Sequence, residues 1–228
     1  MRAVHVEPPE QTGHHEGLAY ALFLPEREPA GSLVILHGAG SSKESHFDFA
    51  RRARSAGIAT ACFDQRGHGE SEGSFDRRFV DDVGEIASLL PPGPLGLRGS
   101  SMGGYVALVA AAPVGASAVI AICPAPGRGL AAGLRAGAFD VAADPAVVET
   151  LDEADELEAV RSLRCPLLLL HAEEDEVVPF ALSERLVDVA PEGLCRFVAV
   201  PGGHHRSIQH DAEFQDLSVR FLLESFAR

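Results

Sequence analysis

Asparagine is absent from the chain, and its 19 basic residues include a single lysine, Lys43, the rest being arginine. Such a bias fits a GC-rich coding sequence or selection for heat tolerance, and the first is the plainer reading. The four cysteines, Cys62, Cys123, Cys165 and Cys195, lie far apart in apolar runs with no Cys-x-x-Cys spacing. That excludes a disulfide framework and predicts buried free thiols in a reducing compartment. No apolar run approaches the roughly 18 residues of a membrane span, and the opening Met1-Arg-Ala-Val-His-Val-Glu-Pro-Pro carries no apolar signal core. A cytoplasmic protein with no membrane partner is expected. Positive charge clusters only at Arg51-Arg52 with Arg54 and at Arg77-Arg78. With 33 acidic residues and a net charge of −14, the chain repels phosphate backbones, so a nucleic-acid partner is not expected either. Internal repeats and linkers are also missing, and 228 residues with 46% hydrophobic content suit a single domain over 1–228 with a sizeable core. A homo-oligomer stays open.

What is present is an alternation. Apolar runs of strand length occur at 18–24, 33–36, 58–63, 95–97, 118–123, 167–170 and 195–200, with helix-length segments between them. Phe79, Val83, Ile86, Ala87 and Leu90 form one stripe at helical spacing, and Phe214, Leu217, Phe221 and Leu222 form another. Residues 105–112 are apolar all round, as a helix buried against a sheet must be. Continuous apolar strands separated by helices predict an α/β fold with a mainly parallel central sheet flanked by helices. In such sheets, ligands bind beyond the carboxyl ends of the strands.

Those positions carry the chemistry. After the run at 95–97 stands Gly99-Ser100-Ser101-Met102-Gly103, followed at once by the apolar helix. Gly-x-Ser-x-Gly on a strand-to-helix turn exposes its central serine, so Ser101 is the candidate nucleophile. Gly69-Glu70-Ser71-Glu72-Gly73 fits the same pattern but has neither an apolar strand before it nor an apolar helix after it, and Ser71 reads as a loop residue. A serine nucleophile needs a histidine base and an acid that orients it. The loop after 167–170 offers Glu173, Glu174 and Asp175, and the loop after 195–200 offers His204 and His205. His205 is preferred because it closes a Pro-Gly-x-x-His pattern. Tandem histidines are poor chelate geometry, so no metal is expected, and no cofactor is needed. An oxyanion hole requires two backbone N–H groups. Met102, next to the nucleophile, supplies one, and Ala39 in His37-Gly38-Ala39-Gly40 supplies the other.

Together with Phe63-Asp64-Gln65-Arg66-Gly67-His68-Gly69-Glu70-Ser71-Glu72-Gly73 and Asp175 before Val177-Val178-Pro179, these residues resemble the α/β-hydrolase superfamily. Within it they are similar to the serine-aminopeptidase-like group of monoacylglycerol lipases and cinnamoyl or feruloyl esterases. The resemblance runs from about residue 17 to the C-terminus. It implies the α/β-hydrolase fold, favours Asp175 as the acid and makes the Gly69–Gly73 segment a structural loop. The insert at about 127–161 is short for a lid, and Phe139 is its only aromatic residue. The expected function is therefore a carboxylic-ester hydrolase for small to medium acyl chains, working through a Ser101–His205–Asp175 triad and an acyl-enzyme. The same triad acting on amide, peptide, thioester, lactone or C–C bonds remains an alternative, as does a non-catalytic ligand receptor. Residues 140–160 hold eight acids and no arginine or lysine. A solvated helix face explains them. If the insert overhung Ser101 instead, anionic esters would turn over worse than neutral ones.

Overall fold

A computed structural model describes residues 7–153 and 155–228. The described elements run β1 (Gln11–His15), β2 (Leu18–Phe23), β3 (Gly31–Leu36), α1 (Phe47–Ser55), β4 (Ile58–Phe63), α2 (Phe79–Ala87), β5 (Leu95–Ser100) and α3 (Met102–Ala110). They continue β6 (Ala118–Ile122), α4 (Gly127–Arg135), α5 (Pro145–Glu153), α6 (Glu156–Arg161), β7 (Leu167–Ala172), α7 (Ala181–Val189), β8 (Cys195–Val200) and α8 (Ala212–Phe226). The strands form one sheet in the order β1-β2-β4-β3-β5-β6-β7-β8, with β1 and β2 antiparallel to their neighbours and the other pairings parallel.

The apolar runs are continuous because both faces of the sheet are covered. Val34 and Leu36 of β3, Val119 and Ala121 of β6, and Leu167 and Leu169 of β7 join the core under α2 and α3. Their alternates Leu33, Ile35, Ala118, Ile120, Leu168 and Leu170 join a second core under α1 and α8. This is the two-residue side-chain period of a strand, with an apolar residue required at every step. α3 is buried along nearly its whole length, as its composition predicts.

The structure departs from the sequence expectation in a few places. β1 is a strand that the apolar pattern does not show, because it is a polar edge paired only with β2. It is folded back by a two-residue turn, Glu16 (φ 50°) and Gly17 (φ 79°), a hairpin geometry that suits glycine. α2 ends at Ala87, ahead of Pro91-Pro92, although Leu90 beyond it is still buried. The strand expected over 118–123 stops at Ile122, because Cys123 turns out of it at φ 43°. All four cysteines are free, but Cys195 is only partly buried.

The insert is three short helices, α4 to α6, whose Leu130, Val147, Leu151 and Val160 enter the same core as α3. Of its acids, Glu149 pairs with Arg77 and Asp152 with Arg135, the half-buried Glu156 accepts the Gly127 N–H, and Asp140, Asp144, Glu153, Asp155 and Glu158 are exposed. Among the described residues, no helix is long and apolar enough to cross a membrane.

Candidate active site

Ser101 sits between the end of β5 and the first turn of α3 at φ 53° and ψ −118°, a conformation that L residues rarely adopt. Such a conformation costs roughly 1–3 kcal/mol and persists only where neighbours over-determine it. Here the Ser101 N–H donates to the Ile122 carbonyl at 2.9 Å, and its carbonyl accepts from the N–H groups of Tyr105 and Ala125. The flanking glycines are sterically required. A Cβ on Gly99 would lie 2.0 Å from the Gly103 carbonyl oxygen, and one on Gly103 would lie 2.1 Å from that of Leu36.

The loops after β7 and β8 bring Asp175 and His205 together. His205 Nδ1 lies 2.7 Å from Asp175 Oδ2, and the carboxylate is fully buried. Asp175 Oδ1 accepts from the N–H groups of Val177 and Val178, each at 2.8 Å. Burial alone pushes the carboxyl upward, yet the Val178 N–H, His205, the Val177 N–H and the Cys123 thiol outweigh it and hold its pKa below the usual aspartate range. Glu173, Glu174 and His204 are exposed. The His204 N–H donates to Ser207 Oγ at 3.0 Å, and neither glutamate takes the place of Asp175.

Two further residues, His171 and Cys123, lie against Asp175. His171, the residue after the apolar run of β7, is fully buried, with Nδ1 2.6 Å from Ser183 Oγ and Nε2 3.0 Å from the Val178 carbonyl and 3.3 Å from Asp175 Oδ2. Burial lowers its pKa and keeps it neutral. Cys123, Asp175 and His205 place ligand atoms within 4.8 Å of one another, a donor set within reach of a metal ion. Burial raises the Cys123 pKa far above the ordinary thiol range, with Asp175 adding to it, so the sulfur carries its proton beside the carboxylate.

The loop after β3 forms the facing wall. Gly38 passes so close that a Cβ there would lie 3.4 Å from the Ser101 Cβ. Met102 opens α3, so its N–H has no partner within the helix, and Ala39 lines the cavity beside Ser101. The loop is fastened from behind. The Gln65 N–H donates to His37 Nε2 at 3.0 Å, which puts the His37 proton on Nδ1, 2.8 Å from the Gly38 carbonyl. The lone lysine also serves this loop. Lys43 Nζ is 2.8 Å from Asp64 Oδ2 and 2.6 Å from Glu70 Oε2, and the Lys43 N–H donates to Asp64 Oδ1 at 2.7 Å. Burial works against the ammonium charge, and Asp64, Glu70 and Glu44 overcome it and raise its pKa. Ser71 belongs to the same scaffold: its hydroxyl donates to the Asp64 carbonyl and accepts the Ala19 N–H at 2.8 Å.

Neutral histidines in this wall give the protein a pH signature. Burial first, then the neighbouring His68, lowers the His37 pKa from 6.5 to about 4, and burial beside Arg98 lowers that of His46. The unfolded chain protonates both below about pH 6.5 while the folded chain does not, so stability falls as pH drops through that window. His37 alone should remove about 2 kcal/mol between pH 7 and pH 5. Urea unfolding at the two pH values measures this, and equal free energies would refute it.

The cavity beside Ser101 measures about 210 Å³. Gly38 and Ala39 bound one side, and His205, Arg206 and His210 bound another. Among the described residues, none of the acidic insert lines it. Its volume falls below the roughly 300–1,000 Å³ of drug-sized ligand sites.

A serine on a strained strand-to-helix turn, with an aspartate–histidine pair delivered by later strands of a mainly parallel sheet, defines an α/β-hydrolase. The family model described as serine aminopeptidase, S33, matches residues 27–143, and the chain belongs to that family. It is 27% identical to a monoacylglycerol lipase of Mycolicibacterium smegmatis over 82% of this chain and 85% of that protein. Among solved structures it is similar to Est1E of Butyrivibrio proteoclasticus with ferulic acid bound, at a TM-score of 0.79 and 21% identity, covering 96% of this chain and 100% of that one. The monoacylglycerol lipase of Paleococcus ferrophilus superposes at a TM-score of 0.72 and 21% identity, over 91% and 99% of the two chains. At such identities the structures share the fold.

Proposed function

We propose that the protein hydrolyses small, hydrophilic carboxylic esters through an acyl-enzyme on Ser101. The observation that carries this reading is the 2.7 Å contact of His205 with a buried Asp175, with Ser101 and His205 on the same small cavity. Ser101 Oγ bonds to the carbonyl carbon while its proton passes to His205 Nε2. Asp175 holds the Nδ1 proton and supports the imidazolium that forms. The N–H groups of Met102 and Ala39 take the oxyanion, each worth roughly 2.7–4 kcal/mol of barrier. Collapse breaks the bond to the leaving alcohol, which takes the proton from His205. Water, deprotonated by His205, then releases the acid and restores Ser101. Relatives named as lipases and an esterase-fold neighbour with bound ferulic acid support ester chemistry.

Chain length provides the test. p-Nitrophenyl acetate and butyrate should show the highest kcat/KM, with a steep fall toward decanoate and weak turnover of long-chain monoacylglycerol, because the cavity is small. Decanoate as the best ester, or p-nitroanilides cleaved faster than esters, would overturn the reading.

A further inference from the structure

We propose that the cavity beside Ser101 selects esters that carry a carboxylate on one arm, with Arg206 as the specificity-determining residue. The inference rests on the esterase reading and names its substrate class. Ala39 is the largest apolar side chain on the cavity wall, and the rest of the lining is small or polar, including Ser41, Ser45, Gln209 and His210. A fatty acyl chain placed here would meet hydroxyl, amide, imidazole and guanidinium groups and gain little from burial. Arg206 is the one permanently charged side chain of the lining, and no carboxylate lies on it.

The nearby acids are already engaged by other partners. Asp48 accepts from His210 at 2.9 Å and from Gln215 at 2.7 Å, and Asp175 accepts from His205 and two backbone N–H groups. Glu176 accepts the His205 N–H at 3.2 Å. Arg206 forms no ion pair among the described residues, so its fork is free for a planar oxyanion. Behind the cavity lies a second cation. Arg98 is 1% exposed, donates to the Gln209 carbonyl at 3.0 Å, packs 3.9 Å over the Phe49 ring, and leaves Nε and Nη1 without partners. Its charge acts through protein rather than water, where fields reach furthest. The net charge of −14 opposes any anion at long range, but it is screened by salt, whereas a direct guanidinium contact is screened less.

Matched esters test this, one pair for each arm. Monomethyl glutarate against methyl valerate places the carboxylate on the acyl side, and 3-acetoxypropionate against propyl acetate places it on the alcohol side. In one of the two pairs the anionic ester should have the higher kcat/KM. Arg206→Gln should lower that anionic-to-neutral ratio about tenfold, mainly through KM, the scale of one hydrogen bond to a charged group. Arg206→Lys should restore part of it. Neutral esters preferred in both pairs, or a ratio unmoved by Arg206→Gln, would overturn the proposal. If no ester turns over, the esterase reading fails separately, and calorimetry of both monomethyl glutarate and 3-acetoxypropionate on the Ser101→Ala protein still decides the anion site. Binding that is weakened by Arg206→Gln supports it, and no binding refutes it.

Discussion

Ser101→Ala is expected to lower kcat for ester hydrolysis by about 10⁶-fold while the protein folds as before. Alanine keeps the Cβ, so the strained backbone at φ 53° and its hydrogen bonds to Ile122, Tyr105 and Ala125 meet no new clash. What is lost is the hydroxyl proposed to attack the ester carbonyl. Covalent labelling by a fluorophosphonate, read by mass, should disappear together with turnover. Ser71→Ala gives the contrast. It removes a hydroxyl that bridges the Ala19 N–H and the Asp64 carbonyl, so it should cost about 1 kcal/mol of stability and leave labelling intact. Labelling that survives Ser101→Ala and vanishes in Ser71→Ala would move the nucleophile to the other Gly-x-Ser-x-Gly.

Asp175→Asn is expected to lower kcat about 10⁴-fold with little loss of fold. The amide oxygen can take over the two N–H groups that Oδ1 now accepts from Val177 and Val178. That orientation turns the NH₂ toward His205 Nδ1, which sits 2.7 Å from the carboxylate in the native protein. Nδ1 must then accept rather than donate, the imidazole carries its proton on Nε2, and it can no longer take one from Ser101. Wild-type kcat in this variant would remove Asp175 from the mechanism. Glu173→Gln and Glu174→Gln, both on exposed side chains of the same loop, should leave kcat near wild type.

These expectations rest on features of unequal visibility in the sequence. Seven strands are readable because a sheet covered on both faces favours apolar runs, which are unbroken through β6 and over Leu167, Leu168, Leu169 and Leu170 of β7. β1 is not readable from hydropathy, because an edge strand with polar residues buries too little to leave a pattern. Its signal is the glycine of the Glu16-Gly17 turn, which is a local backbone constraint and not a hydrophobic one. The elbow is readable for the same local reason: Gly99 and Gly103 are demanded by backbone atoms a few ångströms away. Lys43 is conspicuous as the only lysine, yet its buried ion cluster with Asp64 and Glu70 joins residues more than 20 positions apart and has no sequence signature. Arg98, in the middle of a buried strand, breaks the apolar pattern and could have been noticed on that ground. Its partners, Phe49 and the Gln209 carbonyl, could not.

By itself, the sequence determined the layered α/β architecture, the turn that exposes Ser101 and the loops from which an acid and a base could come. Each of these follows from local chain geometry or from hydropathy of fixed period. Only the tertiary structure decided that His205 and not the adjacent His204 meets Asp175, that the acidic insert is docked on the α3 side and stays off the cavity, and that a guanidinium lines its wall. Those outcomes depend on which way neighbouring side chains point once distant strands are brought into register, and no spacing along the chain encodes that.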